Sequence, residues 1–252
     1  MKPANWTEQE LIYLKEMSGK IPPASFLLNR TLSSIRTKAN DLKLSLALPK
    51  MSTLSPLTNG SHTSLYWMGF LMADGHFDAS RSTLAITIGE KDLTYLQQLA
   101  TLLNANISTY IRKPNNIIQM SVCDKTNFGV ITNKWDLHNN KTKNPPSKLP
   151  ELTKEEFYSW IIGFVDGDGS IEKPGNSGTI VSGLEWKHII EHISIQLNCP
   201  NIEIRKPTTF SNNESLRLRL RAEPLRILKE HAIKHELPIL LRKWDRVRLV
   251  RP

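Results

Sequence analysis

Two segments of this chain carry nearly the same text: Trp67-Met68-Gly69-Phe70-Leu71-Met72-Ala73-Asp74-Gly75 and Ile161-Ile162-Gly163-Phe164-Val165-Asp166-Gly167-Asp168-Gly169. Each reads as an apolar helix with small residues four apart (Gly69/Ala73, Gly163/Gly167) and an acid–glycine end. A glycine inside a helix costs about 1 kcal/mol relative to alanine, so its recurrence asks for a packing reason. Small residues spaced by four clear one helix face and let a second backbone approach closely. An aspartate at a helix C-terminus also opposes the helix dipole. Two such helices side by side would bring Asp74 and Asp168 together, a repulsive pair that a divalent cation between them would reconcile.

The 252 residues suffice for one large or two modest domains. Cys123 and Cys199 are the only cysteines and lie far apart, which excludes a disulfide scaffold or a cysteine-rich zinc site. The N-terminus is polar and no run of about 18 apolar residues occurs, so neither a secretory signal nor a membrane span is expected, and the expected location is intracellular. The formal charge is +9, distributed as +4 over residues 1–50, −2 over 51–200 and +7 over 201–252. A basic excess at both ends suits a polyanion such as nucleic acid, although many basic proteins bind none.

Residues 1–44 read as a separate module of three short helices. Thr7 is placed as the N-cap of the first, with Glu10 closing a capping box. Pro22-Pro23 opens a second helix running through Leu28, and residues 31–42 form the third. The third helix sets Leu32, Ile35, Ala39 and Leu42 against Ser33, Ser34, Arg36, Thr37, Lys38 and Asn40. That polar and basic face suits base edges and phosphates in a major groove; a solvated helical cap is the plainer reading. Residues 45–62, punctuated by Pro49, Pro56 and Gly60, read as an extended linker, and the sequence leaves open whether it is ordered.

After each twin helix the same order recurs: strand pair, helix, strand pair, helix. In the first half the strands are placed at 76–80, 83–88, 107–113 and 117–123, with helices at 92–103 and from Thr126. In the second they fall at 170–173, 179–182, 202–207 and 216–221, with helices at 184–197 and from Pro224. The repeat predicts an α+β fold of two pseudo-symmetric αββαββα halves, 63–138 and 151–252, joined by a linker at 139–150. Lys134-Trp135-Asp136 and Lys243-Trp244-Asp245 look like a shared landmark, although they follow Asp74 and Asp168 at different distances.

Leu216-Arg217-Leu218-Arg219-Leu220-Arg221 alternates so that a strand would turn three leucines to one face and three arginines to the other. The arginine face has no acidic partners of matching spacing nearby and suits phosphates and guanine edges; a solvated sheet face is the alternative. Arg112, Lys113, Asn115, Asn116 and Gln119 occupy the first-half hairpin, and Arg205, Lys206, Thr208, Thr209, Ser211 and Asn212 the second. Asparagine, glutamine and arginine are the side chains that read base edges bidentately.

Phe164-Val165-Asp166-Gly167-Asp168-Gly169 and its partner segment resemble the signature of the LAGLIDADG family, most of whose members are homing endonucleases, over about residues 61–252. Two copies in one chain resemble its monomeric form, and the N-terminal module resembles a Myb/SANT-like helix-turn-helix. The resemblance implies two sheets forming a DNA-binding saddle over a long asymmetric double-stranded site. It also implies Mg²⁺, or another divalent such as Mn²⁺, held by Asp74 and Asp168 with the backbone of Ala73 and Gly167. Lys134 and Lys243 match the place of the family's basic catalytic residue; ordinary surface lysines are the plainer reading. DNA contact is implied for His76, Arg81 and Thr87 in the first half, and for Ser170, Lys173 and the arginine strand in the second. The first copy departs at Met72, where an earlier capping acid often stands; Met72 cannot accept a hydrogen bond as aspartate does, so that helix end is expected to be less well capped. The expected function is site-specific double-strand DNA cleavage. An intron maturase binding its host RNA and a cleavage-deficient DNA-binding regulator are the alternatives.

His188-Ile189-Ile190-Glu191-His192 fits an H-x-x-E-H zinc pattern but offers no third ligand, and it is discounted. His231 and His235, also four apart, read as solvated helix-end residues rather than ligands.

Overall fold

A computed structural model describes residues 5–18, 30–44, 52–111, 116–206 and 214–249. The chain divides into two compact units, Met1–Met51 and Ser52–Pro252.

The first unit contains α1 (Glu8–Glu16) and α2 (Leu32–Asp41). The capping box forms: Glu10 N donates to Thr7 Oγ1 at 3.2 Å and Thr7 N to Glu10 Oε2 at 2.8 Å. The same carboxylate receives a fork from Arg30, whose Nε and Nη2 each lie at 2.8 Å, while the guanidinium sits 4.7 Å from the Trp6 ring centre. These charged hydrogen bonds, the Arg30 fork first, hold the Glu10 pKa down to about 2. Leu14, Ile35 and Ala39 are buried. The helix expected over Pro22–Leu28 lies outside the described residues.

The second unit is built on α3 (His62–Asp74) and α6 (Lys154–Asp168), the two signature helices, packed against each other. Every residue of α3 from Ser64 to Ala73 is buried, so this helix is core on all sides. The reason for the glycines is visible at the contact. A Cβ built at Gly69 would overlap the carbonyl oxygen of Trp160 and stand 2.9 Å from Phe164 N. One built at Gly163 would overlap the Tyr66 carbonyl and stand 2.9 Å from Phe70 N. The glycines are reciprocal, each seated on the other helix's backbone.

Each signature helix leads directly into an antiparallel sheet. The first sheet has the order β1 (Gly75–Asp78), β2 (Thr83–Gly89), β4 (Ile117–Cys123), β3 (Ile107–Tyr110). The second repeats it with β5 (Gly169–Ile171), β6 (Ser177–Gly183), β8 (Ser215–Arg221), β7 (Ile202–Arg205). Helices α4 (Leu93–Leu103) and α5 (Lys125–Trp135) pack on the first sheet, and α7 (Lys187–Gln196) and α8 (Ala222–Lys234) on the second; a short α9 (Leu241–Trp244) follows. Phe77, Leu84, Ile86, Ile118, Met120 and Val122 fill the covered face of the first sheet, and Leu216, Leu218 and Leu220 that of the second. The opposite faces are left to solvent. A mixed α+β fold with two four-stranded antiparallel sheets is therefore observed, as the repeat predicts.

Two segments read as linkers are structured. Residues 52–61 belong to the second unit: Leu54 and Leu57 are buried, Thr53 N donates to Leu103 O at 3.0 Å, and Leu54 N donates to Asp124 Oδ2 at 2.9 Å. The part of the expected tether over 45–51 lies outside the described residues. Asn139–Asn144 forms turns that dock on the first half, where Asn139 Oδ1 accepts from Ala79 N at 2.8 Å.

The helix contact yields a paired prediction. Gly69→Ala drives a methyl into a backbone carbonyl and is expected to cost about 3 kcal/mol or more. Gly129→Ala in α5, where an added Cβ meets nothing within 4 Å, is expected to gain up to about 1 kcal/mol. Urea unfolding of both variants checks the contrast; equal effects would deny the backbone contact its role.

Candidate active site

The side-by-side helices bring their acidic ends together. The Asp74 carboxyl carbon lies 3.5 Å from where a Cβ at Gly167 would stand, so its side chain rests on the last turn of the partner helix beside Asp168. A Cβ added at Gly167 would overlap that of Ala73, so glycine is what lets the two helix ends meet. Burial and then the Asp74 charge push the Asp168 pKa from its ordinary 3.8 up to about 6. Asp74 keeps an open face to solvent, yet burial of the rest of its carboxyl raises its pKa too, with Lys243 and Lys141 opposing the shift.

Two buried lysines cap these helix ends. Lys243 Nζ shares its three protons among four carbonyls at the end of α6: Asp166 at 2.6 Å, Gly169 at 2.6 Å, Val165 at 3.0 Å and Gly167 at 3.4 Å. Lys141 Nζ donates to Ala73 O at 2.5 Å at the end of α3. A cation on the last carbonyls offsets the dipole that makes an aspartate there unfavourable. Burial lowers both lysine pKa values, and the attraction of Asp74 and Asp168 opposes that. A cavity of about 260 Å³ opens beside Asp168 and Lys141, lined also by Ala73, Thr142 and Trp186.

Lys134 is not brought to the acids. It lies exposed on α5, where its charge acts on Glu156 in the first turn of α6, at the other end of the helix pair. The lysine at the end of α3 is Lys141, from the segment read as an inter-half linker. The repeated Lys-Trp-Asp triplet does not mark equivalent positions: Lys134-Trp135 closes α5, whereas Lys243-Trp244 closes α9, one helix later. Aligning the halves on α5 and α8, rather than on the triplet, pairs Lys243 with the residues that follow α5 and would have exposed Lys141.

The earlier acid has a different role. Asp166 is fully buried and accepts from Tyr66 OH at 2.6 Å, Trp244 Nε1 at 2.8 Å and Leu240 N at 3.0 Å. Tyr66 gives its proton to Asp166, which leaves Tyr95 as donor across the 2.8 Å contact between the two hydroxyls. Burial outweighs these donors and lifts the Asp166 pKa to about 6. At the matching position the Met72 thioether accepts from Trp160 Nε1 at 3.3 Å. The end of α3 expected to be poorly capped is thus capped by Lys141, on one carbonyl where Lys243 serves four.

The exposed sheet faces differ in charge. On the second, Ser170 pairs with Thr179, Thr179 with Arg219, Ser177 with Arg221 and Val181 with Arg217. Arg219 and Arg221 are exposed, as are Lys173, Arg205 and Lys206. Arg217 does have acidic neighbours: Glu203 is its cross-strand partner and Glu172 lies 3.6 Å away. The expectation of an arginine face without acids is corrected there, because pairing with β7 supplies an acid that local spacing cannot reveal. On the first sheet, His76, Thr87, Gln119 and Ser121 form a largely neutral face, with Arg81 exposed at the β1–β2 turn. Asn116 Nδ2 is engaged by Glu90 Oε2 at 2.8 Å. Arg112, Lys113, Asn115, Thr208, Thr209, Ser211 and Asn212 lie outside the described residues. In the N-terminal unit Ser33, Thr37 and Asn40 are exposed, and Ser34, Arg36 and Lys38 half-buried.

Neither known family profiles nor curated proteins match the chain. Among solved structures it is similar to the I-SmaMI LAGLIDADG homing endonuclease bound to cleaved DNA (14% identity, TM-score 0.45, 78% of this chain and 88% of that one). It is also similar to the I-LtrWI LAGLIDADG homing endonuclease bound to target DNA (16% identity, TM-score 0.43, 73% and 85%) and to I-GzeII in complex with a DNA target (14%, 0.45, 72% and 86%). Among the described residues no helix is long and apolar enough to cross a membrane.

The acid pair makes a prediction for stability. An acid whose pKa rises on folding costs nothing well below pH ~4, where it is protonated in both states, and its full penalty above about pH 6. Asp168→Asn is therefore expected to stabilise the chain at pH 8 by on the order of 1 kcal/mol after solvent screening, with the difference closing towards pH 4. Thermal melts of both proteins across pH measure it; a gap independent of pH would deny the coupling.

Proposed function

We propose that this protein is a site-specific endonuclease of double-stranded DNA, in which Asp74 and Asp168 hold a divalent cation at the ends of the paired helices. The observation that carries the reading is the convergence of two carboxylates, one from each half, against the glycine-cleared turn of α6 with a buried lysine behind each. Structural packing alone gives no reason to force two like charges together at the unfavourable ends of two dipoles.

The donor set fits Mg²⁺. Carboxylate oxygens with neighbouring backbone carbonyls are hard ligands, and a cation beside them would offset both the burial of Asp168 and the Asp74 charge that together raise its pKa. Of the backbone candidates, Ala73 O already receives Lys141, and Gly167 O lies at the longest of the Lys243 contacts. When bound, such a metal supplies Lewis acidity and an activated water for hydrolysis of a phosphodiester.

The chain's own residues orient and neutralise. Lys141 and Lys243 fix the two carboxylates by capping the turns that carry them, and they add positive charge where a scissile phosphate gathers negative charge. Arg219, Arg221, Lys173, Arg205 and Lys206 hold backbone phosphates, with Ser170 beside them. His76, Thr87 and Gln119 read base edges across the first sheet. A cationic face on one sheet and, among the described residues, a largely neutral face on the other suit an asymmetric site read by one chain. The N-terminal helices, through Ser33, Ser34, Arg36, Thr37, Lys38 and Asn40, extend contact along the DNA. Binding of intron RNA as a maturase, or of DNA without cleavage, would use the same charged faces but leave the acid pair without a task.

Incubating a randomised duplex library with the protein and Mg²⁺, then sequencing the cut ends, tests the reading. Discrete ends at one long motif are expected. Asp168→Asn is expected to lose cutting of one strand by at least about 100-fold while DNA retention persists. Undiminished double-strand cleavage by that variant would remove Asp168 from the chemistry. Retention of DNA or RNA with no cuts would turn the assignment to a regulator or a maturase.

A further inference from the structure

Three histidines meet at the other end of the helix pair. His62 is the first residue of α3, and His231 and His235 are four apart at the end of α8. One ring nitrogen from each lies within 4.8 Å of the others. The ring centroids of His62 and His235 are 3.7 Å apart, and those of His231 and His235 are 4.4 Å apart. Along α3 the cluster stands about 18 Å from Asp74, at 1.5 Å per residue, so it is no part of the acid site.

Ser159 gives two of the rings an outer hydrogen-bond partner. Ser159 of α6 is fully buried; its Oγ lies 2.8 Å from His62 Nδ1, 2.8 Å from His231 Nε2 and 3.4 Å from the Glu155 carbonyl oxygen. A hydroxyl has one proton and two lone pairs. All three contacts are satisfied when Ser159 donates to the carbonyl and accepts from both rings. In that arrangement His62 Nδ1 and His231 Nε2 carry the ring protons and His62 Nε2 and His231 Nδ1 the lone pairs, while His235 Nε2 donates to Glu155 Oε2 at 3.2 Å and keeps its lone pair on Nδ1. A ligating histidine needs this arrangement, its far nitrogen held by an outer partner. Glu155 Oε2 faces the same gap, 3.6 Å from His231 Nδ1 and 3.2 Å from His235 Nε2, with Lys234 Nζ at 3.0 Å.

We infer that His62, His231 and His235, with Glu155 alongside, form a binding site for a divalent transition-metal ion of the zinc type. Three imidazoles, each with a nitrogen within 4.8 Å of the others, suit zinc and its neighbours and do not suit magnesium. The ion would tie α3 of the first half to α6 and α8 of the second, a staple at the foot of the helix pair. It is also separated from the acid pair by ligand chemistry: nitrogen donors here, oxygen donors there.

The test uses the full, untagged chain carrying Asp74→Asn and Asp168→Asn, stripped of metal and free of DNA, so that the acid pair cannot compete. Titration with Co²⁺ is expected to give the visible absorption of a four-coordinate site at one equivalent, bleached by Zn²⁺, and Zn²⁺ is expected to raise the melting temperature. His62→Ala and His235→Ala should each weaken Co²⁺ binding at least about tenfold and cancel the Zn²⁺-dependent rise. His235 is only partly buried, so its variant keeps the fold even where that of His62 is destabilised. Absence of Co²⁺ absorption, or binding undiminished in the His235→Ala chain, would overturn the site and leave a hydrogen-bonded histidine cluster.

Discussion

Backbone-to-backbone contact between α3 and α6 is the constraint on which the second unit depends. Gly69 and Gly163 each admit the partner's carbonyl where any side chain would collide. That closeness sets the two helices in register, joins the halves through one continuous core, and delivers Asp74 and Asp168 to a common point. Dispersion energy falls steeply with separation, so helices held farther apart would lose both contact and register.

Once the acids are gathered, the surroundings must offset what gathering them costs. Lys141 and Lys243 do so from opposite halves, each buried and each capping the turn that carries an acid. Asp166 ties the same turn to Tyr66 on α3 and to the segment around Leu240 and Trp244. Asp92 and Arg242 add a fork between the halves at 2.8 and 2.9 Å. The repulsion between Asp74 and Asp168 remains, and it is the feature on which the proposed metal site rests.

The two halves share a plan and differ in detail. Asp166 and Met72 occupy one position, yet the first accepts three strong hydrogen bonds and the second a single indole N–H. Lys243 reaches four carbonyls and Lys141 one. The second sheet shows arginines to solvent where the first shows His76, Thr87 and Gln119. Pseudo-symmetry sets where things are placed, and local chemistry separates what each half does.

The sequence alone determined the twin helices, the strand order after each, the alternation of β8 and the capping box at Thr7, because these rest on short-range periodicity and on backbone needs that residue type satisfies locally. It singled out Asp74 and Asp168 for the same reason, since an acid after a glycine-bearing apolar helix is a local oddity. Tertiary structure alone decided which lysines stand behind them. Lys141 lies in a polar stretch without periodicity, and the repeated triplet drew attention to Lys134, which folding carries to the far end of the helices. It alone supplied Glu203 and Glu172 as neighbours of Arg217, and it alone brought His62 to His231 and His235 across more than half the chain. Such contacts depend on how whole elements pack, and packing between distant segments leaves no trace in the spacing of residues along one of them.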